Sequence, residues 1–197
     1  MIKKTLLSIT IIFASILPLC ADGLSQKLVS AAFERTKDHV VYDPAYVSIA
    51  YPNGDVPLNT GVCTDVVIRA YRKIGIDFQK LIHEDMREHF GEYPKIWGLK
   101  KTDRNIDHRR VPNIKTFLKR QNADLRIFND PVNYQAGDLV TWVLPGNLPH
   151  IGIVSDQIDP ISKNPLIIHN VGSGVEMGDF LFSFPITGHY RYFPRNE

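Results

Sequence analysis

Cysteine is almost missing from this chain. Cys20 and Cys63 are the two cysteines in 197 residues, too few for a disulfide framework or a thiolate zinc site. Excess charge is missing too. Lys and Arg number 23 against 21 Asp and Glu, a formal net charge of +2, so the basic footprint of a nucleic-acid binder is absent and no nucleic-acid partner is expected. No tight ligand pattern such as H-E-x-x-H occurs, and neither a metal nor a cofactor is expected. No repeat, low-complexity tract or linker divides the sequence, which points to one domain. At 44% hydrophobic and 22% charged residues, the composition is that of an ordered globular protein.

The one strongly apolar run is N-terminal. Lys3 and Lys4 precede an apolar stretch from Leu6 to Leu17, and Pro18-Leu19-Cys20-Ala21 follows as a cleavage region. This pattern predicts a secretory signal over residues 1–21, cut after Ala21, and a single domain over 22–197 in the periplasm or outside the cell. The run is too short for a membrane span, so no stable membrane insertion is expected after cleavage. Lipoprotein anchoring at Cys20 is the rival reading; Leu19 stands where that processing expects a small residue. Removal of the signal leaves Cys63 as a solitary thiol in an oxidising compartment, where a lone cysteine is buried or used.

Thr60 to Gly75 reads as a helix with that cysteine at its mouth. Val62, Val66, Val67, Ala70 and Ile74 recur at helical spacing, Thr60 serves as N-cap, and Gly75 stops the helix after Arg72 and Lys73. Backbone N–H groups without intrahelical partners then surround Cys63, and they favour its thiolate. A small buried hydrophobe is the alternative for the same residue.

Other segments frame this helix. Leu24 to Lys37 is predicted helical, capped by Ser25, with Leu28 and Ala32 inward. Val40 to Asn59 is turn-rich and aromatic, its tyrosines packing or reaching toward the thiol. Phe78 to Phe90 is a second amphipathic helix with Ile82 and Met86 inward and His83, Glu84, Asp85 and His89 on a solvated face. Lys100 to Arg110 is a basic loop, solvated or edging a groove for a carboxylate-bearing substrate. Pro112 starts a short helix through Ile114, Phe117 and Leu118. The last third reads as antiparallel sheet: strands from Leu139 to Leu144, His150 to Val154, Leu166 to Asn170 and Ile186 to Tyr192, with a turn at Pro145-Gly146-Asn147. Helices followed by strands predict an α+β domain with the cysteine helix packed on the sheet.

His150 begins one strand and His169 ends the next, so antiparallel pairing brings both to one end of the sheet. With Cys63 above that end, the set reads as nucleophile, base and orienting residue, with Asn170 as an alternative orienter. A metal pair of His150 and His169 is the competing use.

Gly137-Asp138-Leu139-Val140 followed by His150-Ile151-Gly152-Ile153-Val154, downstream of a cysteine-led helix, resembles the NlpC-type branch of the papain-like cysteine peptidases. More closely, Gly61 to Arg72 is similar to the bacterial domain of unknown function 1287. Asn105 to Asn113, His169-Asn170-Val171-Gly172 and Gly188-His189-Tyr190-Arg191-Tyr192 fit the same family. The resemblance implies a papain-like (NlpC-type) fold with Cys63, His150 and His169 in the catalytic positions. It also implies an amide-cleaving hydrolase acting on peptidoglycan stem peptides. The sequence departs from the usual Asp-Cys-Ser-Gly flank, showing Val62-Cys63-Thr64-Asp65. Asp65, Tyr51, Arg109, Arg110 and Asn170 are the expected substrate-binding residues, the two arginines by holding carboxylates. An acyltransferase on the same triad, or a cell-wall binding module without chemistry, are the alternatives.

Overall fold

The computed structural model describes residues 19–194. The predicted signal therefore lies outside the described residues except for its last three, which open the first helix. That helix, α1 (Leu19–Glu34), continues as one 3-10 turn to Lys37. Ser25 sits inside α1 rather than capping it, and its hydroxyl donates to the carbonyl of Ala136. Among the described residues no helix is long and apolar enough to cross a membrane.

Two short strands, β1 (Val41–Tyr42) and β2 (Thr60–Gly61), pair in parallel and deliver the chain to α2 (Cys63–Lys73). The predicted cap moves by two residues. Val62 is the N-cap, Cys63 the first helical residue, and Thr60 belongs to β2. A valine has no oxygen to cap with, so Asp65 reaches back and accepts from the Val62 N–H at 2.7 Å. At the other end Gly75 adopts φ +84°, and the Ile76 N–H bonds the Tyr71 carbonyl at 3.0 Å while the Gly75 N–H bonds that of Arg72 at 3.1 Å. This pair closes the helix with a left-handed residue that a Cβ would disfavour.

Two more helices, α3 (Phe78–Glu88) and α4 (Val111–Arg120), complete the helical layer. Asp77 caps α3 by accepting from the Gln79 N–H at 3.0 Å, and a proline in the first turn of α4 fits where no N–H is needed. The solvated face assigned to α3 is largely committed. Asp85 accepts from Tyr93 and from Arg120 at 2.5 and 2.8 Å, and His83 faces Asp107 at 3.3 Å.

The sheet is antiparallel in the order β3-β8-β4-β5-β6-β7. Its strands are β3 (Asp124–Leu125), β4 (Leu139–Leu144), β5 (Leu148–Ile158), β6 (Pro165–Asn170), β7 (Val175–Gly178) and β8 (Ile186–Tyr190). The predicted four strands are its centre; β3 and β7 are short edges with little apolar alternation to reveal them. Strand alternation divides two cores. Leu139, Ile151, Ile153 and Ile168 face the helices and pack with Leu28, Val67, Tyr71 and Phe117. Val140, Trp142, Val154 and Ile167 line the other face under Leu181 and Phe180. The result is a mixed α+β architecture in which α2, buried from Cys63 to Tyr71, lies against β5 and β6.

Candidate active site at the mouth of the cysteine helix

The loop that feeds α2 is pinned from within the helix. Arg69 pairs with Asp55 at 3.0 Å and also donates to the carbonyls of Val56, Pro57 and Thr60; Arg72 reaches the same Asp55 at 3.2 Å. Charge-assisted bonds of this kind hold Cys63 at a fixed height over the sheet.

Cys63 is buried, 5% exposed, at the base of a cavity of about 360 Å3. Its sulfur meets backbone N–H groups of Ile151, Thr64 and Cys63 itself. Those donors were expected to make the thiol acidic. Burial outweighs them and pushes the thiol up to about 12. The expectation that the helix mouth makes this thiol more acidic than a free cysteine is thereby corrected.

His150 and His169 meet as predicted. His150 Nε2 lies 3.1 Å from His169 Nδ1. Gly152, between the strands, permits the approach, because a Cβ there would come within 2.7 Å of Ile167 and 3.2 Å of the His169 Cβ. Both imidazoles sit against Phe180, and His150 also faces Trp142 across the β4–β5 pairing. Burial and the neighbouring His169 push His150 down to about 3, and burial takes His169 down to about 4. His169 Nε2 looks toward Glu176 on β7 at 3.9 Å. Cys63 contacts the backbone of Ile151, and the cavity wall beside it includes Pro149, the two residues flanking His150. Among the described residues no hydrogen bond joins the thiol to either imidazole. The imidazoles thus pack on the Trp142–Phe180 side of the sheet, and Cys63, on the helix side, meets their strand at the Ile151 backbone, beside His150. Among the described residues no three His, Cys, Asp or Glu side chains gather as a metal set.

The expected substrate-binding residues divide. Asp65 and Arg109, both buried, form a bidentate pair at 2.9 and 2.9 Å, and Arg109 also donates to the Ala45 carbonyl at 3.2 Å. They are committed to each other and to the loop, although Arg109 also lines the cavity. Asn170 is fully buried. Its amide donates to the Gly61 carbonyl at 3.4 Å and its oxygen accepts from the Gly172 N–H at 3.1 Å, so it ties β6 to the approach of α2. Tyr51 is elsewhere: its hydroxyl donates to Glu84 at 3.2 Å and its ring meets His83. Tyr42 and Tyr46 take the place assigned to it in the cavity wall. Arg110 does line the cavity, stacked 4.1 Å from the ring centre of Trp97. The basic segment ending at Arg110 is solvated at Lys100, Lys101 and Arg104 but not at its end. Asp107, His108 and Arg109 form a buried 3-10 turn, where burial and Arg109 push His108 down to about 3.

Trp97 went unnoticed in the sequence, although an indole in a proline-bearing loop is a candidate contact residue. Phe180 and Glu176 left no local signal, since only the strand pairing brings them to the imidazoles.

With this geometry in view, the chain matches the model of the domain of unknown function DUF1287 over residues 29–192. It is also 50% identical over 173 residues to the uncharacterized protein YijF of Escherichia coli (strain K12), covering 88% of this chain and 80% of that one. The chain belongs to the DUF1287 family.

Proposed function

We propose that this protein is an exported cysteine hydrolase of NlpC-like, papain-type architecture that cleaves an amide bond in peptidoglycan stem peptides. The observation that carries the reading is that the Cys63 sulfur, in a substrate-sized cavity, meets the backbone of Ile151, the residue next to His150, whose imidazole is paired with that of His169. The neutral resting state sets the order of events. Catalytic hydrogen bonds commonly tighten only with substrate bound. As the Cys63 sulfur bonds to the amide carbonyl carbon, its proton passes to His150 Nδ1, which makes no other hydrogen bond. His150 keeps its own proton on Nε2 and donates it to His169 Nδ1, so His169 holds the reactive tautomer. The N–H groups at the start of α2 stabilise the developing oxyanion. Collapse expels the amine, which takes the proton from His150 and leaves a thioester. Water then attacks the thioester carbon, giving up its proton to His150. The acid is released and the thiol restored.

Incubation of the mature protein with soluble muropeptides, followed by mass spectrometry, tests this. Cleavage by the wild type and none by Cys63→Ala, with unchanged circular dichroism, is the expected result. Turnover by Cys63→Ala would overturn the mechanism.

One observation favours a second reading, a wall-binding module without chemistry: the thiol is buried, neutral and not bonded to His150. That reading predicts intact muropeptides and equal retention on sacculi by wild type and Cys63→Ala.

A further inference from the structure

The cavity over Cys63 does not end at Trp97. Trp97, Pro112 and Pro149 also wall a second hollow of about 420 Å3, which holds Lys115. The two hollows adjoin across these residues at the start of α4, and together they are called the groove. No carboxylate lines either part, yet three cations do. Arg109 is neutralised by Asp65. Arg110 is not: among the described residues it makes no ion pair, and its Nη1 is buried without a hydrogen-bond partner. The nearest acids are already engaged, Asp103 by the Tyr46 hydroxyl and the Asn105 N–H, Asp107 by His83 and the Asp103 N–H. Lys115 also lacks an ion pair among the described residues, and burial, together with Lys119, lowers its pKa. A guanidinium held over an indole in a cavity wall, with no acid paired to it, is placed to receive a carboxylate.

We propose that the groove selects an acidic amide substrate, Arg110 binding a carboxylate on the residue flanking the scissile bond and Lys115 a second acid farther along. This rests on the hydrolase reading above and adds its specificity. Arg110 is a recognition residue, while its neighbour Arg109 is part of the scaffold.

The test uses two probes: soluble muropeptides with free carboxyls, and the same peptides with those carboxyls converted to primary amides by carbodiimide and ammonia. Binding is measured on the Cys63→Ala protein, where cleavage cannot interfere, and turnover on the wild type. The acid form should bind about 10- to 100-fold tighter than the amidated form. Adding Arg110→Gln should erase most of that difference by weakening the acid form far more than the amidated one, with an unchanged circular dichroism spectrum showing that the fold is kept. Lys115→Gln should remove a smaller part, and Arg110→Lys should retain part of the preference. Equal affinity for both forms, no affinity for either, or a preference that survives Arg110→Gln overturns the proposal. Cleavage of both forms at equal KM also overturns it and leaves the hydrolase standing. An Arg110-dependent preference in a protein that cuts neither form supports the recognition and removes the hydrolase.

Discussion

Two buried histidine clusters share one sheet and differ in what they leave free. Around His189 every group is used. Its Nε2 lies 2.8 Å from Asp138, its Nδ1 3.2 Å from the Arg126 carbonyl, and Tyr134 stacks on its ring at 4.3 Å. Asp138 in turn accepts from Arg191 at 2.7 and 2.9 Å and from the Gln135 N–H at 2.9 Å. At the other cluster His150 is bonded through Nε2 alone, and its partner residues Phe180 and Trp142 are apolar. A satisfied network rigidifies, whereas an imidazole with a spare nitrogen can move a proton. The comparison also gives Gly137-Asp138 and Gly188-His189-Tyr190-Arg191 a structural role. They meet in space as one ionic lock between β4 and β8.

The largest effects should separate these clusters. His150→Ala is expected to lower turnover about 10²- to 10⁴-fold, the range for a general base, with a denaturant midpoint near wild type. Asp138→Ala should do the reverse in mechanism. It leaves His189 and Arg191 without their partner and costs about 3–5 kcal/mol, the range for breaking a buried pair, read as a lowered midpoint in urea. Equal stability loss in both variants would erase the distinction drawn here.

Asp65→Asn comes next. Arg109 is left buried with half its partner, so stability should fall by roughly 3 kcal/mol, while KM for any substrate the folded protein cuts stays within about twofold. A raised KM at unchanged stability would return Asp65 to the substrate site.

The pH dependence of stability sharpens the same contrast. An unfolded chain protonates its imidazoles near the ordinary value of 6.5, but His150 resists until about 3 and His169 until about 4. Their contribution is therefore complete above pH 6.5 and is lost as pH falls toward 3, with His108 adding to the same slope. The raised Cys63 thiol acts at the other end, its contribution fading as pH climbs from 9 toward 12. Replacing His150 and His169 by Gln should flatten the acid limb in urea titrations at stepped pH. The smallest effect belongs to Glu176→Gln. At 3.9 Å from His169 and half exposed, it should change turnover less than about threefold and move only the acid limb of the pH–rate profile.

The α2 helix, the four central strands and the meeting of His150 with His169 were legible because each follows from a local period and a short connection. Helical spacing over 62–74 and strand alternation over 139–154 need only neighbours in sequence. The candidate site beyond those three residues was not legible in the same way. Asp65 and Arg109 are 44 residues apart, and nothing in either neighbourhood shows that each is the other's partner; seen singly, both look like groups waiting for substrate. Tyr51 and Tyr42 likewise belong to one aromatic loop, and only its folding path puts one beside Glu84 and the other beside Cys63.

Local pattern thus determined which residues carry the candidate chemistry and on which elements they stand. Tertiary packing decided their state. A helix N-terminus favours a thiolate, but the sheet that covers Cys63 removes the water a thiolate needs, and desolvation wins. The same packing decided which cation is spent inside the scaffold and which faces the groove. Burial and charge partnership are properties of the whole fold, because they depend on atoms that sequence distance does not bring together.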